Sequence, residues 1–210
     1  LQGMEILQNI RFVDVIEILG TFAFAISGIR LASAKQFDLF GAFVVGFVTA
    51  IGGGTVRDIF LDVTPFWMLN TVYLWCSLAA LIFVMIFRKH LVSLNNTFFL
   101  FDSIGLGLFV VVGVEKTIFM DFEPWVAITM GVITGTVGGI LRDIFINEIP
   151  LVFRKDIYAL ACVAGGVVFT VMYSVNANMF LTETMTAATV IAIRLLAVKF
   201  HWHMPIVKGE

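Results

Sequence analysis

Charge is scarce in this chain. Thirteen basic and fifteen acidic residues make up 13% of 210 residues, with a net charge of -2, against ~25% charged in an ordinary soluble domain. So few charges cannot cover a domain of this size unless something other than water covers the rest, which argues against a soluble enzyme. No basic cluster occurs, so there is no electrostatic footprint for DNA or RNA and no nucleic-acid partner is expected. Cysteine is rarer still. Cys76 and Cys162 both lie inside apolar runs, where a free thiol behaves as a small hydrophobe, so neither a disulfide framework nor a thiolate metal site is indicated. His201 and His203 stand two apart in the tail, remote from His90 and from any carboxylate cluster, which reads as a solvated tail with no resident metal or cofactor. There is no nucleophile paired with a base, no phosphate-binding loop after a strand and no HExxH helix, so catalysis is not expected. The first ten residues lack the basic region and cleavage pattern of a secretory signal. Met4 reads as a natural start, with residues 1–3 appended, as readily as Leu1 does.

What the chain has in excess is apolar surface: 60% hydrophobic residues, 18 glycines, 22 phenylalanines and a mean hydropathy of +1.02. Seven apolar segments run over residues 14–31, 38–61, 67–87, 98–115, 124–148, 156–175 and 181–200. A helix crosses the ~30 Å hydrocarbon core in about 20 residues, and such unbroken apolarity does not fit a barrel's alternation. The expected fold is therefore an all-α polytopic membrane protein of seven transmembrane helices. With the N-terminus outside, the inner loops and tail hold eight basic residues, Arg30, Lys35, Arg88, Lys89, Arg154, Lys155, Lys199 and Lys208, and the outer side only Arg11 and Lys116. That bias favours N-out and C-in. Trp67, Trp125 and Trp202 read as interfacial anchors, with Trp75 deeper, and Arg194 reads as snorkelling to the inner interface.

A shift of 85 residues aligns the chain with itself without gaps. Gly20, Phe24, Gly28, Gly46, Thr49, Gly53, Gly54, Arg57, Asp58, Pro65 and Tyr73 fall on Gly105, Phe109, Gly113, Gly131, Thr134, Gly138, Gly139, Arg142, Asp143, Pro150 and Tyr158, and Glu17 falls on Asp102. The string GGxxRDIF occurs in both copies. The units are residues 12–90 and 97–175, followed by a seventh helix at 181–200 and a cytoplasmic tail at 201–210. Three spans per unit reverse the second unit in the bilayer, an inverted 3+3 repeat of the kind transport proteins use to build a site at the repeat interface.

Chemistry concentrates where the two copies carry their motif. Gly52, Gly53 and Gly54 in the first copy, and Gly138 and Gly139 after Val137 in the second, weaken or kink a helix, and opened carbonyls there are cation ligands where protein or water shelters them. The bland alternative is close helix packing by small residues, which suits Gly46 and Gly131 best. Charges inside a membrane face the bundle interior, paired or hydrated. Two clusters are expected, Glu17 with Arg57 and Asp58 at the outer mouth and Asp102 with Arg142 and Asp143 at the inner one, serving a gate or locking helices. Adjacent residues point about 100° apart, so each Arg is not expected to pair with its own Asp within one helix. Thr49, Thr55, Thr134 and Thr136 either line the path or bond back to their own helices.

At these residues the chain resembles the prokaryotic TRIC, or trimeric intracellular cation, channels, also described as glycine-transporter-domain membrane proteins. The resemblance spans residues 12–200 and rests on the doubled motif. It implies a homotrimer in the inner (plasma) membrane of a prokaryote, with membrane lipids around it and a pore in each protomer. That pore would run among spans one, two, four and five, with helices two and five bent at residues 52–54 and 137–139, and would pass potassium and, less firmly, sodium. Animal members carry a lysine-glutamate-valine stretch tied to lipid control; Val114, Glu115 and Lys116 do not reproduce that order, and phosphoinositide control is not carried over. A 3+3 inverted repeat also suits a carrier for a small amino acid such as glycine, with Arg57 or Arg142 on its carboxylate.

Overall fold

The computed structural model describes residues 12–93, 97–154 and 157–202, with side chains from 88–93 excepted. Expectations resting on Met4, Arg11, Lys155, His203 and Lys208, and on the side chains of Arg88, Lys89 and His90, lie outside the described residues. Seven long helices are present among them: α1 (Phe12–Ala34), α2 (Leu39–Phe60), α3 (Val72–Ser93), α4 (Thr97–Ile118), α5 (Pro124–Phe145), α6 (Ala159–Ser174) and α7 (Met179–Lys199). Five are long and apolar enough to cross a membrane, and α6 and the stretch Val72–Phe87 of α3 are shorter apolar helices. The third span starts at Val72, later than its apolar run, because Phe66–Leu69 forms a separate helical turn; the sixth, Ala159–Ser174, follows a 3-10 turn at Leu151–Phe153. Pro65 and Pro150 stand immediately before these two turns.

Helix termination follows one local rule. Gln36, Asp62, Asp121, Asn147, Asn176 and His201 have positive φ just beyond α1, α2, α4, α5, α6 and α7. The next residue's N–H reaches back five positions, as in Val63 to Asp58 and Glu148 to Asp143 at 2.9 and 2.8 Å. This left-handed cap satisfies carbonyls that lipid would leave bare, and Asp and Asn accept it at little steric cost. Gln36 and Asp121, like Asp62 and Asn147, are repeat mates, so the two copies turn their chains alike.

The bundle buries charged side chains within an apolar core and leaves large apolar side chains exposed. Arg57, Arg142 and Arg194 lead the largest fully buried side chains, whereas Phe40, Phe60, Trp75, Trp125 and Ile144 are exposed, the reverse of a water-soluble core. At its centre α1 packs on α2 and α4, α4 on α5, and α2 on α5, with α3 and α6 flanking their own repeats and α7 lying against α4 and α6. Phe24 stacks on Phe109, its repeat mate, at 5.3 Å between ring centroids. Paired contacts of this kind fit the inverted repeat.

The orientation can be read with single cysteines. In a Cys76→Ser background, with Cys162 buried, Asn176→Cys is expected to react with an impermeant maleimide on intact cells and His201→Cys only after lysis. Outside labelling of His201→Cys alone would reverse the ends called outer and inner below, and equal labelling of both from outside would sink the topology.

Candidate functional site

The site begins at the crossing of α2 and α5. A side chain built on Gly53 would strike the carbonyl oxygen, carbon and Cα of Thr134, and one on Gly138 would strike the carbonyl of Thr49. These two contacts are repeat mates. A backbone-to-backbone approach recurs where Gly28 meets the Cα of Gly46 and the carbonyl of Val45, and Gly113 meets the Cα of Gly131 and the carbonyl of Met130. Four helices thus approach at distances that only an absent Cβ permits.

This corrects the expectation of broken helices at Gly52, Gly53 and Gly54 and at Val137, Gly138 and Gly139. Both α2 and α5 are helical through all six of these residues, and no glycine has positive φ among the described residues. Close approach explains the glycines without opened carbonyls. Gly52 is buried against α5, where a Cβ would meet the side chain of Leu141 at 2.7 Å and the Cα of Gly138 at 3.5 Å, and a Cβ on Gly54 would meet the ring of Phe66. One on Gly139 would meet the Tyr158 hydroxyl at 2.7 Å. The triplet of the first copy is therefore packed on all its members, and of the three only Gly53 would clash with backbone atoms.

The hydroxyls of Thr49, Thr55, Thr134 and Thr136 donate to the carbonyls of Val45, Ile51, Met130 and Val132, four residues earlier in each case, at 2.6 to 2.7 Å. Thr55 also accepts the indole N–H of Trp67 at 3.0 Å, which ties Trp67 to α2.

Because Thr49 faces Gly138 while Gly53 faces Thr134, α2 and α5 cross antiparallel. Arg57 lies four residues past Gly53 and Arg142 four past Gly138, each roughly 6 Å further along its helix. The arginines are therefore carried to opposite sides of the crossing.

At the outer end, Arg57 Nε donates to Asp58 Oδ1 at 2.8 Å and Nη2 lies 3.8 Å from Glu17 Oε1. Tyr73 donates its hydroxyl proton to Glu17 Oε2 at 2.6 Å. Asp58 Oδ1 also accepts from Lys116 Nζ at 2.8 Å, and Oδ2 accepts the Phe66 N–H at 2.9 Å. At the inner end, Arg142 Nε donates to Asp143 Oδ1 at 2.9 Å, while Nη1 donates to Asp102 Oδ1 and, at 2.8 Å, to Ser27. Asp143 Oδ2 accepts the Leu151 N–H at 2.9 Å. Each Arg does pair with its own Asp within one helix, because its long side chain turns Nε back past the 100° offset.

Sequence reasoning missed several members of these clusters. The sequence puts Lys116 on the outer side, at the end of a fourth span that could extend to Thr97 or Ile118; the helix does run from Thr97 to Ile118, so Lys116 and Glu115 both stand on α4, with Glu115 buried. Arg194 was expected at the interface, yet it is buried with its guanidinium over the rings of Phe99 and Tyr158, at 4.5 and 4.7 Å. The equivalence of Tyr73 and Tyr158 in the repeat was the available signal for the tyrosines; Lys116, whose mate is Leu31, and Arg194, outside the repeat, had none.

Two open cavities flank the crossing. The outer one, 240 Å³, is lined by Val13, Asp14, Glu17, Phe66, Val112, Glu115, Lys116, Phe119 and Met120. The inner one, 400 Å³, is lined by Leu31, Ala34, Lys35, Phe98, Asp143, Ile146, Glu148, Leu151 and Arg154. Val13 and Phe98, Leu31 and Lys116, Ala34 and Phe119, Lys35 and Met120, and Phe66 and Leu151 are mates at the 85-residue shift. The cavities are thus one feature built twice and inverted. Between them, Thr49, Gly53, Thr134 and Gly138 are buried.

Across the inner mouth, Lys35 Nζ bonds Glu148 Oε1 at 2.6 Å and Arg154 approaches Oε2 at 3.2 Å. The hydrogen bond and charge of Lys35 hold the Glu148 carboxyl below its ordinary value of 4.5. The pair's contribution is therefore present at neutral pH and is lost as pH falls through that lowered value. Its members are well exposed, so Lys35→Gln is expected to change thermal stability little at physiological salt. Any difference from the parent should persist from pH 7 to pH 5 and vanish only below 4.5 in a pH series of melting midpoints.

Comparison with known proteins places these features. A family model described as "Glycine transporter" matches twice, over residues 14–89 and 99–174. A UPF0126 membrane protein of Vibrio cholerae is 39% identical over 193 residues, 91% of this chain and 81% of its own length. The UPF0126 inner membrane protein YadS of Escherichia coli is 38% identical over 90% of this chain and 93% of its own. Among solved structures, the TRIC trimeric intracellular cation channel orthologue of Rhodobacter sphaeroides superposes with a TM-score of 0.86 at 32% identity, covering 90% of this chain and 98% of that one. With a repeat matched in both copies, relatives aligned almost end to end and the fold of a TRIC channel, this multi-pass protein of the prokaryotic plasma membrane belongs to the UPF0126, or glycine transporter, family.

Proposed function

We propose that this protein is a channel for monovalent cations, potassium foremost, with an hourglass path through each protomer of a homotrimer. The observation that supports this most is the pair of inverted cavities, built from repeat-related residues, on opposite sides of the buried glycine crossing of α1, α2, α4 and α5. The outer cavity is lined by Asp14, Glu17 and Glu115 as well as Lys116, and carboxylates at a mouth attract cations. Fixed positive charge in a cation path opposes permeation. The arginines therefore belong in their carboxylate clusters, beside the path, where Glu17, Arg57, Asp58, Asp102, Arg142 and Asp143 govern opening. Residues 49, 52–55, 134 and 136–139 form the waist. It is closed in this conformation, and conduction requires α2 and α5 to separate there.

The likeness to TRIC channels supports the cation and the trimer. The description "Glycine transporter" favours a second reading, a carrier in which the two cavities open alternately. Purified protein in nanodiscs is expected to have a protein mass three times the 23.3 kDa of one chain. In potassium-loaded liposomes, a channel gives electrogenic potassium efflux that external glycine leaves unchanged. Accumulation of labelled glycine without potassium current would replace the channel with the carrier.

A further inference from the structure

We propose that Arg194, on the helix appended to the repeat, is the positioning residue that balances the charge of the inner cluster and holds Asp102 against Arg142. The inference starts from a difference between two ends built from the same sequence motif. Each cluster has two carboxylates on one arginine: Glu17 and Asp58 on Arg57, and Asp102 and Asp143 on Arg142. Either trio alone carries one surplus negative charge in a site screened from water, where an unbalanced charge is strongly unfavourable.

The outer end supplies its second cation from within the repeat. Lys116 on α4 reaches Asp58 at 2.8 Å. The inner end lacks that option, because the repeat mate of Lys116 is Leu31. There α7 brings in Arg194, whose Nη2 stands 4.0 Å from Asp102 Oδ2 with both side chains buried. Asp102 Oδ2 accepts no hydrogen bond among the described residues, so Arg194 is the charge that faces it. The guanidinium is fixed on three other sides, donating from Nη1 to the Ile157 carbonyl at 2.9 Å and lying between the rings of Phe99 and Tyr158. Such a sandwich suits the planar cation of arginine and holds it without a second carboxylate. Asp102 and Asp143 are then matched by Arg142 and Arg194, as Glu17 and Asp58 are by Arg57 and Lys116, and α7 supplies the charge that duplication left out.

This rests on the proposed path only for its bearing on conduction, so the test reads folding and not flux. Thermal midpoints of the trimer-sized species in detergent are compared for the parent, Arg194→Met, Arg194→Lys and the double variant Arg194→Met with Asp102→Asn. Methionine keeps an apolar stem and removes the charge; it is expected to lower the midpoint by roughly 10 °C or to prevent accumulation. Asp102→Asn in the same chain returns the cluster to neutrality with Arg142 on Asp143, and recovery of most of the lost midpoint, or of accumulation, is expected. Arg194→Lys keeps the charge and should retain most of the parent's midpoint. If the double variant is no more stable than Arg194→Met, or Arg194→Lys is equally impaired, Arg194 acts by packing between its rings and the assignment falls. If Arg194→Met melts with the parent, the inner cluster needs no second cation and the assignment falls as well. Absence of potassium flux from the parent would count against the channel alone.

Discussion

Gly53→Ala is expected to abolish potassium flux and to lower the thermal midpoint by roughly 6 to 12 °C, the shift that follows from about 3 kcal/mol of overpacking in a chain of this size. The new methyl would fall on the carbonyl and Cα of Thr134. Those are backbone atoms of a continuous helix and cannot rotate aside as a side chain does. Gly138→Ala should match it, since it meets the Thr49 carbonyl in the same way. Gly20→Ala is the control: its nearest neighbours are side-chain atoms of Leu108 and Phe109 at 3.3 to 3.4 Å, so a shift of a few tenths of an ångström suffices and only a small loss is expected. Leucine at 53 or 138 should block conduction outright. Flux normalised to folded protein, beside the melting midpoints, checks both parts. Unchanged flux with leucine at both positions would move the path away from this crossing.

Arg142→Gln is expected to eliminate folded protein, whereas Arg57→Gln should accumulate with altered opening. At the inner end, Arg142 neutralises Asp102 and Asp143 and also bonds Ser27, with Asp102 fully buried. Glutamine leaves Asp102 facing Arg194 and Asp143 holding only the Leu151 N–H among the described residues. Breaking a buried pair costs about 3–5 kcal/mol, a large part of the ~5–15 kcal/mol that holds a domain folded. At the outer end Asp58 keeps Lys116 and the Phe66 N–H, and Glu17 keeps Tyr73 and borders the open cavity. The outer cluster therefore loses less. Yield of monodisperse protein from membranes separates the two, and equal yields would show that the clusters bear equal weight.

The seven helices and the repeat were legible because both are written in local pattern: apolar length for the spans, and one 85-residue register for the duplication. The glycines show where this reading stops. A helix break and a close crossing both require a missing Cβ, so Gly52, Gly53 and Gly54 read the same for either. What distinguishes them is Thr134 against Gly53 and Leu141 against Gly52, contacts between helices that no local pattern reveals. Arg194 failed for a similar reason. One turn before Lys199 it looks like a snorkelling residue, and only the packing of α7 against α4 and α6 turns it inward to Asp102 and Tyr158. Lys116 stands just past the apolar run 98–115; its helix continues to Ile118, and the ammonium's place on Asp58 is again a contact between helices that no local pattern names. The clusters around Arg57 and Arg142 were easier to anticipate, since charges within apolar segments must find partners inside the bundle.

Single-channel recording of purified protein in planar bilayers under a potassium chloride gradient tests the central proposal most directly. A cation path through the protomer gives discrete openings whose current reverses near the potassium equilibrium potential, and Gly53→Ala removes them. Reversal near the chloride potential, or no discrete current from folded protein that accumulates glycine, would contradict it.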